Sequence, residues 1–416
     1  MSEAAAGPSI DGRLAAAGLP PLPRTAWLEL DLDALAANVA VVRRLAGPGV
    51  PIRPVVKADA YGHGAVPIAR ALEAARVDGL CVAAIDEALE LRAGGATIPI
   101  LVLYPVPAGW AAVAARERIA VSIGDGVLLD RLLDATALED ATGGPPLEVQ
   151  LEIETGLGRG GVTVAEAAAV AAALAGRPDV RLTGLWTHLQ ANEDAVRTAA
   201  QLARFEAAVR AVSETGIALP PSHVAASGGL LTDVAAYDGV RPGLTVYGLV
   251  PDELDPRGLD PAALAGLRPV LSLHARAVRV ADLPSGWGVS YGPTFVTSRP
   301  SRIATLPLGY GDGWPRVLSN RAEALVRGRR VPIVGNVAMD GIMVDVTDVP
   351  GPPVTPDDLF TLIGTQGAER IDVADLAQAR TTNSWEVVTA MARRLPRVYH
   401  SAAGPVDVRF LAERSA

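Results

Sequence analysis

Apolar and polar positions alternate along Trp27-Leu28-Glu29-Leu30-Asp31-Leu32, the two-residue period of a strand, and after Asp33 the period lengthens to that of a helix from Leu35 to Leu45. From there the chain repeats one unit: a short β-rich run, then a stretch rich in Ala, Leu, Glu and Arg. Eight such runs occur: Ile52–Val56, Gly79–Ala84, Ile98–Leu103, Ile119–Ile123, Leu147–Ile153, Arg181–Thr187, Ser222–Ala225 and Gly239–Arg241. Strands alternating with helices predict a parallel sheet, and eight of them within about 240 residues predict its closure into a (β/α)8 TIM barrel.

From about Leu271 the pattern changes. Ser272–Val280, Arg302–Leu306, Ala324–Val326, Arg330–Val334, Gly341–Val346 and Leu359–Ile363 are short β-like segments joined by Gly, Pro and Asp, with helical periodicity only at Val373–Ala379 and Trp385–Ala392. The fold expected is therefore α/β, a barrel followed by a mainly β C-terminal domain. Residues 1–24, rich in Ala and Pro, read as a flexible N-terminal tail, 25–270 as the barrel and 271–416 as the β domain, with the strand at 26–32 open to joining the latter.

Charge narrows the partners. The 416 residues carry 37 basic and 46 acidic side chains, a net charge of −9, and no clustered basic run, which argues against nucleic acid or an anionic membrane as the main partner and for a small ligand. Cys81 is the only cysteine, so no intrachain disulfide forms, and its apolar run marks it as inert packing. The N-terminal stretch lacks a basic start and an unbroken apolar core, and no run of about 18 apolar residues occurs, so a cytoplasmic protein is expected. His63, His188, His223, His274 and His400 are scattered, so no metal site is expected.

The basic residues divide into 36 arginines and a single lysine, Lys57. On most solvated surfaces Lys serves as well as Arg, so one surviving lysine points to a position that needs an amine. A guanidinium stays protonated, whereas an ε-amine shifts its pKa on burial and condenses with carbonyls. Lys57 lies one residue beyond the first run, at the strand ends where barrel chemistry collects. The loops after the seventh and eighth runs carry Ser227-Gly228-Gly229 and Arg241-Pro242-Gly243-Leu244, where barrels commonly hold a phosphate. An amine and a phosphate cradle across one barrel mouth suit a phosphorylated aldehyde held as an imine, and pyridoxal 5′-phosphate fits that description.

With Val55-Val56-Lys57-Ala58-Asp59-Ala60-Tyr61-Gly62-His63-Gly64 in view, the chain resembles the alanine racemases, fold-type III pyridoxal-phosphate enzymes. The likeness recurs in Thr155-Gly156-Leu157-Gly158-Arg159, Thr187-His188, Val240-Arg241-Pro242-Gly243, Gly288-Val289-Ser290-Tyr291-Gly292, Gly309-Tyr310-Gly311-Asp312-Gly313 and Met339-Asp340. The resemblance implies a homodimer that racemises L- and D-alanine for cell-wall synthesis with two bases, Lys57 on one face of the substrate Cα and Tyr291 of the partner subunit on the other. It implies a relay from Tyr291 through His188 to Arg241, the latter facing the pyridine nitrogen. It further implies that Arg159 binds the substrate carboxylate with help from the Met339 backbone N–H. Tyr61, Ser227, Gly243 and Leu244 would contact the cofactor phosphate, and Asp340 would support the site.

Three positions depart from that family's pattern. Glu152 stands seven residues before Arg159, where many members carry a carbamylated lysine; both groups are anionic oxygen pairs, so Glu152 is expected to orient Arg159. Ala226 replaces the usual Asn, and Trp385 replaces a tyrosine near the phosphate and the substrate side chain. Other readings stay open: a racemase of broader specificity, for example for serine, a fold-type III amino-acid decarboxylase, or a pyridoxal-phosphate carrier. Gly156–Gly161 also satisfies G-x-G-x-x-G, with Asp179 18 residues further on, but it follows the fifth run and holds an arginine where a pyrophosphate would approach, which disfavours a dehydrogenase.

Overall fold

The structure is a computed structural model that describes residues 9–124, 126–140 and 145–411. It divides into two compact units, one made of Ala34–Ala60 and Gly64–Arg268, the other of the chain up to Asp33, Tyr61–His63 and everything from Pro269 onward.

In the unit that contains residues 9–33, helix α1 (Ile10–Ala16) and strand β1 (Ala26–Asp31) come first. Strand β1 pairs in parallel with Arg397–Ser401 and antiparallel with Leu271–Arg276, inside an eleven-stranded sheet. The run expected as Ser272–Val280 is two strands, Leu271–Arg276 and Arg279–Leu283. The expected tail is helical at α1. Ser9 caps it by accepting from the Gly12 N–H, and Ile10 and Leu14 are buried with Trp27 and Val398. Arg13 forks the Glu29 carboxylate at 2.6 and 3.1 Å, and Asp11 pairs with Arg276 at 2.7 Å. An Ala-rich composition conceals this helix because only two of its seven residues carry the apolar stripe.

The barrel unit contains six parallel strands in sequential order, β2 (Leu80–Val82), β3 (Ile100–Val102), β4 (Ile119–Ile123), β5 (Leu147–Glu152), β6 (Val180–Trp186) and β7 (Ser222–His223). Every residue of β2, β3 and β4 is buried, as expected of strands covered on both faces. The first and eighth runs close the ring through single parallel bridges: Val55 to Cys81, Ile52 to Val240, and Ala226 to Arg241. Prolines explain why these runs form bridges and not full strands. Pro51, Pro54 and Pro242 have no N–H to donate, yet their carbonyls accept from Val240, Cys81 and Val55 at 2.8 to 2.9 Å. No described helix is long and apolar enough to cross a membrane.

Because Leu14 is buried in a small cluster, Leu14→Ala should cost about 2–4 kcal/mol. The cost would appear as a lower urea midpoint in tryptophan fluorescence, to which Trp27 contributes as one of six tryptophans, and an unchanged midpoint would show that α1 contributes nothing to that unit.

Candidate active site

Immediately after Val56 the backbone reverses hand. Ala58, Asp59, Ala60 and Tyr61 all have φ between 51° and 56°, one turn of left-handed helix built without glycine. Each such residue costs about 1–2 kcal/mol, so the turn persists only because its surroundings fix it. The Ala60 N–H donates to the Val56 carbonyl at 2.9 Å, and the Gly64 N–H to the Asp59 carbonyl at 2.8 Å. The Asp59 side chain accepts from the Ala65 N–H at 2.8 Å, and Glu87 accepts from the Ala58 N–H at 2.6 Å. Lys57 leads into this turn, half-buried at the end of the first run. Its amine lies below the ordinary lysine range, first because burial disfavours the ammonium and then because Arg159 is near; the Glu87 and Cys81 charges pull the other way.

Arg159 sits in the glycine-rich loop after β5. Its guanidinium lies 3.1 Å from Glu152 at the strand end and 5.4 Å from the centre of the Tyr104 ring. Gly161, at φ 113°, lets the loop fold back tightly, since a Cβ there would come within 2.5 Å of the Glu154 nitrogen. Burial pushes the Glu152 carboxyl above the ordinary range, against the pull of Arg159 and Arg241.

Arg241 is fully buried. It donates to Nδ1 and the carbonyl oxygen of His223, and to the Thr187 carbonyl at 2.7 Å, with its guanidinium 4.8 Å from the centre of the Trp186 ring. His223 stacks on the same ring, and its Nε2 meets the Gln150 Oε1 at 2.7 Å. An amide oxygen can only accept, so Nε2 carries the hydrogen and Nδ1 is left as the acceptor Arg241 needs. Burial, then Arg241, holds His223 neutral, and burial lowers Arg241 to about 10, still protonated at neutral pH. His188 is likewise neutral, pushed down to about 3 by burial and then by Arg241, Arg159 and Lys57. Among the described residues no hydrogen bond links His188 to Arg241: the expected partnership falls to His223, which an unremarkable sequence context left among the scattered histidines.

The loops after the seventh and eighth runs come together. The Ser227 Oγ accepts from the Gly243 and Thr245 N–H groups at 2.9 and 3.2 Å and lies 3.1 Å from the Thr245 hydroxyl, and Leu244 is buried beside it. Ala226 and Gly243 precede two short helical turns and give neither a side-chain cap. Thus Lys57, Glu152, Arg159, His188, Ser227, Arg241, Gly243 and Leu244 all belong to the barrel unit.

The other unit carries Tyr61, Tyr291, Met339, Asp340 and Trp385. Tyr61 is buried, and beside it a Cβ on Gly62 would meet the Val388 carbonyl at 2.1 Å. Tyr291 lies in the turn of the hairpin formed by Gly288–Val289 and Phe295–Val296, 77% exposed on its own chain, with its carbonyl accepting from Asn336 at 2.8 Å. Met339 is half-exposed; Gly309 packs so closely that a Cβ there would come within 2.5 Å of the Met339 oxygen. Asp340 pairs with Arg394 at 2.6 Å, and Arg394 also holds buried Asp312 at 2.7 Å. Trp385 lies on the helix Ser384–Thr389. The sequence pattern did not mark Arg394, and the Gly309–Gly313 motif was the signal for Asp312.

Family models for the alanine racemase N-terminal and C-terminal domains match residues 30–251 and 270–399. The chain is 41% identical over 379 residues to the alanine racemase of Symbiobacterium thermophilum, covering 90% of this chain and 97% of that one. It is similar to the crystal structure of alanine racemase from Bacillus anthracis with bound L-Ala-P at a TM-score of 0.86 and 34% identity, covering 94% of this chain and 98% of that one. The structure of alanine racemase from D-cycloserine-producing Streptomyces lavendulae gives a TM-score of 0.82 at 36% identity, covering 91% and 98%.

Cys81 is the nearest competing nucleophile, and it is silenced: fully buried, its thiol is pushed up to about 11 by burial. Iodoacetamide should leave it unmodified in the native protein and alkylate it after denaturation, as read by intact mass. Rapid native alkylation would contradict its burial.

Proposed function

The chain belongs to the alanine racemase family of isomerases, and from that premise we propose that it interconverts L- and D-alanine with pyridoxal 5′-phosphate, as a cytoplasmic homodimer whose product serves cell-wall synthesis. The observation that carries this reading is the placement of the only lysine, its amine depressed by burial and by Arg159, at the mouth of a barrel that also holds the Ser227 cradle. The residues present fit the cofactor. Lys57 supplies the amine for its aldehyde, Ser227, Gly243, Leu244 and Tyr61 would hold its phosphate, and the buried Arg241 cation would face its ring nitrogen. When bound, the cofactor supplies an electron sink that makes the proton on the substrate Cα removable.

The chain's own groups do the rest. Arg159, fixed by Glu152, takes the substrate carboxylate, assisted by the Met339 N–H of the partner subunit. For groups held in place, inverting the hand at Cα calls for a proton donor on the face opposite the base. Lys57 takes and returns the proton on one side; Tyr291 of the partner subunit serves the other. Its exposure on its own chain supports that assignment. Lysine ordinarily titrates near ~10.4, so the lowered amine of Lys57 is what lets it act as a base closer to neutral pH. Arg241, being protonated, discourages protonation of a neighbouring ring nitrogen and so limits delocalisation that would feed side reactions. Trp385 would wall the site on the substrate side-chain face.

Three measurements test this. Borohydride should trap the cofactor on Lys57, and Lys57→Ala should abolish the adduct and lower racemisation by about a thousandfold or more. Tyr291→Phe should keep the cofactor absorbance yet slow Cα deuterium exchange from one enantiomer by about a hundredfold or more, and equal, unchanged exchange from both would refute the two-base assignment. Glu152→Gln should raise KM for alanine by about threefold to tenfold through a loosened Arg159, and wild-type kinetics would remove Glu152 from the site.

A further inference from the structure

Glu87 uses one carboxylate for two purposes. It occupies the third position of the helix Ile85–Ala93, where an acidic side chain ordinarily turns back onto its own helix start. Oε2 does so, accepting from the Ala83 and Ala84 N–H groups at 2.7 and 3.2 Å. Oε1 does not. It reaches across to the first run and accepts from the Ala58 N–H at 2.6 Å.

That N–H belongs to the peptide joining Lys57 to the left-handed turn. Relaxing the turn to an ordinary conformation would relieve its backbone strain, and it would rotate the plane of this first peptide and with it the direction in which Lys57 leaves the backbone. A restraint is needed where the handedness changes, and a charge-assisted hydrogen bond is stronger than a neutral one. The run is tied to β2 through one bridge, Val55 to Cys81, whose two hydrogen bonds involve Pro54 and Val56 and so end before the Ala58 peptide.

We propose that Glu87 is a positioning residue for the reaction: by clamping the Ala58 peptide to the start of Ile85–Ala93, it sets the direction from which the Lys57 amine meets the substrate. This rests on the reading of Lys57 as the base. The Glu87 charge also raises the Lys57 amine, against burial and Arg159, and so limits how far that amine falls.

The single lysine makes a direct readout possible, because acetylation followed by peptide mass spectrometry reports Lys57 as the only side-chain amine. Glu87→Gln should lower kcat by about tenfold or more with KM for alanine within about twofold, since carboxylate binding lies with Arg159. In the cofactor-free protein it should also move the pH midpoint of Lys57 acetylation downward. Glu87→Asp keeps the charge and a short reach to Ala83 and Ala84 but shortens the arm toward Ala58, so it should reproduce the kcat loss with the acetylation midpoint near that of the wild type. A merely structural role would lower thermal stability without moving either the midpoint or the kcat of the folded fraction. Wild-type kcat in either folded variant overturns the proposal, as does a Glu87→Gln loss that falls on KM alone. If Glu87→Gln does not fold, the kcat of Glu87→Asp decides. Should the wild-type chain neither bind the cofactor at Lys57 nor racemise alanine, the functional reading fails instead, and the acetylation curves still report whether Glu87 controls this amine.

Discussion

A lysine that acts as a base must satisfy two opposed demands: enough burial to shed its proton readily, and enough freedom to reach the atom it deprotonates. In the role proposed for Lys57 both are met by one local feature, the change of backbone hand directly after Val56. The preceding run is buried, so the amine begins in a poorly solvated place, and the left-handed turn then carries the chain away within a few residues. An ordinary right-handed start would place successive Cβ atoms differently around the strand end. The turn is strained in all four of its non-glycine residues, which makes it informative: strain of this size is retained where neighbouring groups over-determine it, and Glu87, Asp59 and the Val56 carbonyl do so from three directions.

The second constraint is a buried cation that no carboxylate among the described residues hydrogen-bonds. Among the described residues every hydrogen bond of Arg241 ends on a neutral acceptor: His223 through ring and carbonyl, and the carbonyls of Thr187 and Val224. Buried charge is costly unless it is paired or well bonded, and here dipoles and the Trp186 face supply the compensation that an acidic side chain would otherwise give. The consequence is electrostatic. Because no carboxylate among the described residues is bonded to it, Arg241 keeps its positive potential available to the barrel mouth, where it adds to burial in holding His188 and His223 neutral. A mouth of that sign suits a phosphate and a carboxylate and penalises a protonated ring.

Hydrophobic period made the architecture legible. Eight apolar runs alternating with helical stretches forced the parallel ring, and a change of period near Leu271 marked the β sheet. Candidate chemistry was legible where it depended on residue type, as with a lone amine among arginines or serine and glycine at strand ends. What the sequence concealed depended on geometry. Ala58-Asp59-Ala60-Tyr61 contains no glycine to announce positive φ, so its handedness was invisible. Nothing in the sequence sets Glu87 apart from any acid at a helix start, because which of its two oxygens faces outward is settled only by packing. His223 was one of five scattered histidines, and its pairing with Arg241 arises from strands brought side by side by barrel closure, not from spacing. Helix α1 was lost in a composition that resembles a tail.

Substituting a carboxylate for a carbamate-bearing group beside Arg159 raises the question of whether Glu152 stays charged when it is needed. Burial raises its carboxyl above the ordinary range, and burial with Arg159 lowers the Lys57 amine below its own. The two therefore move toward each other, yet they start about six pH units apart. In the proposed reaction Lys57 works as a free amine and Glu152 as a carboxylate, and the bond from Arg159 favours the ionised form of Glu152 against its burial. A plain glutamate needs no carbon dioxide to acquire the charge with which it would brace Arg159.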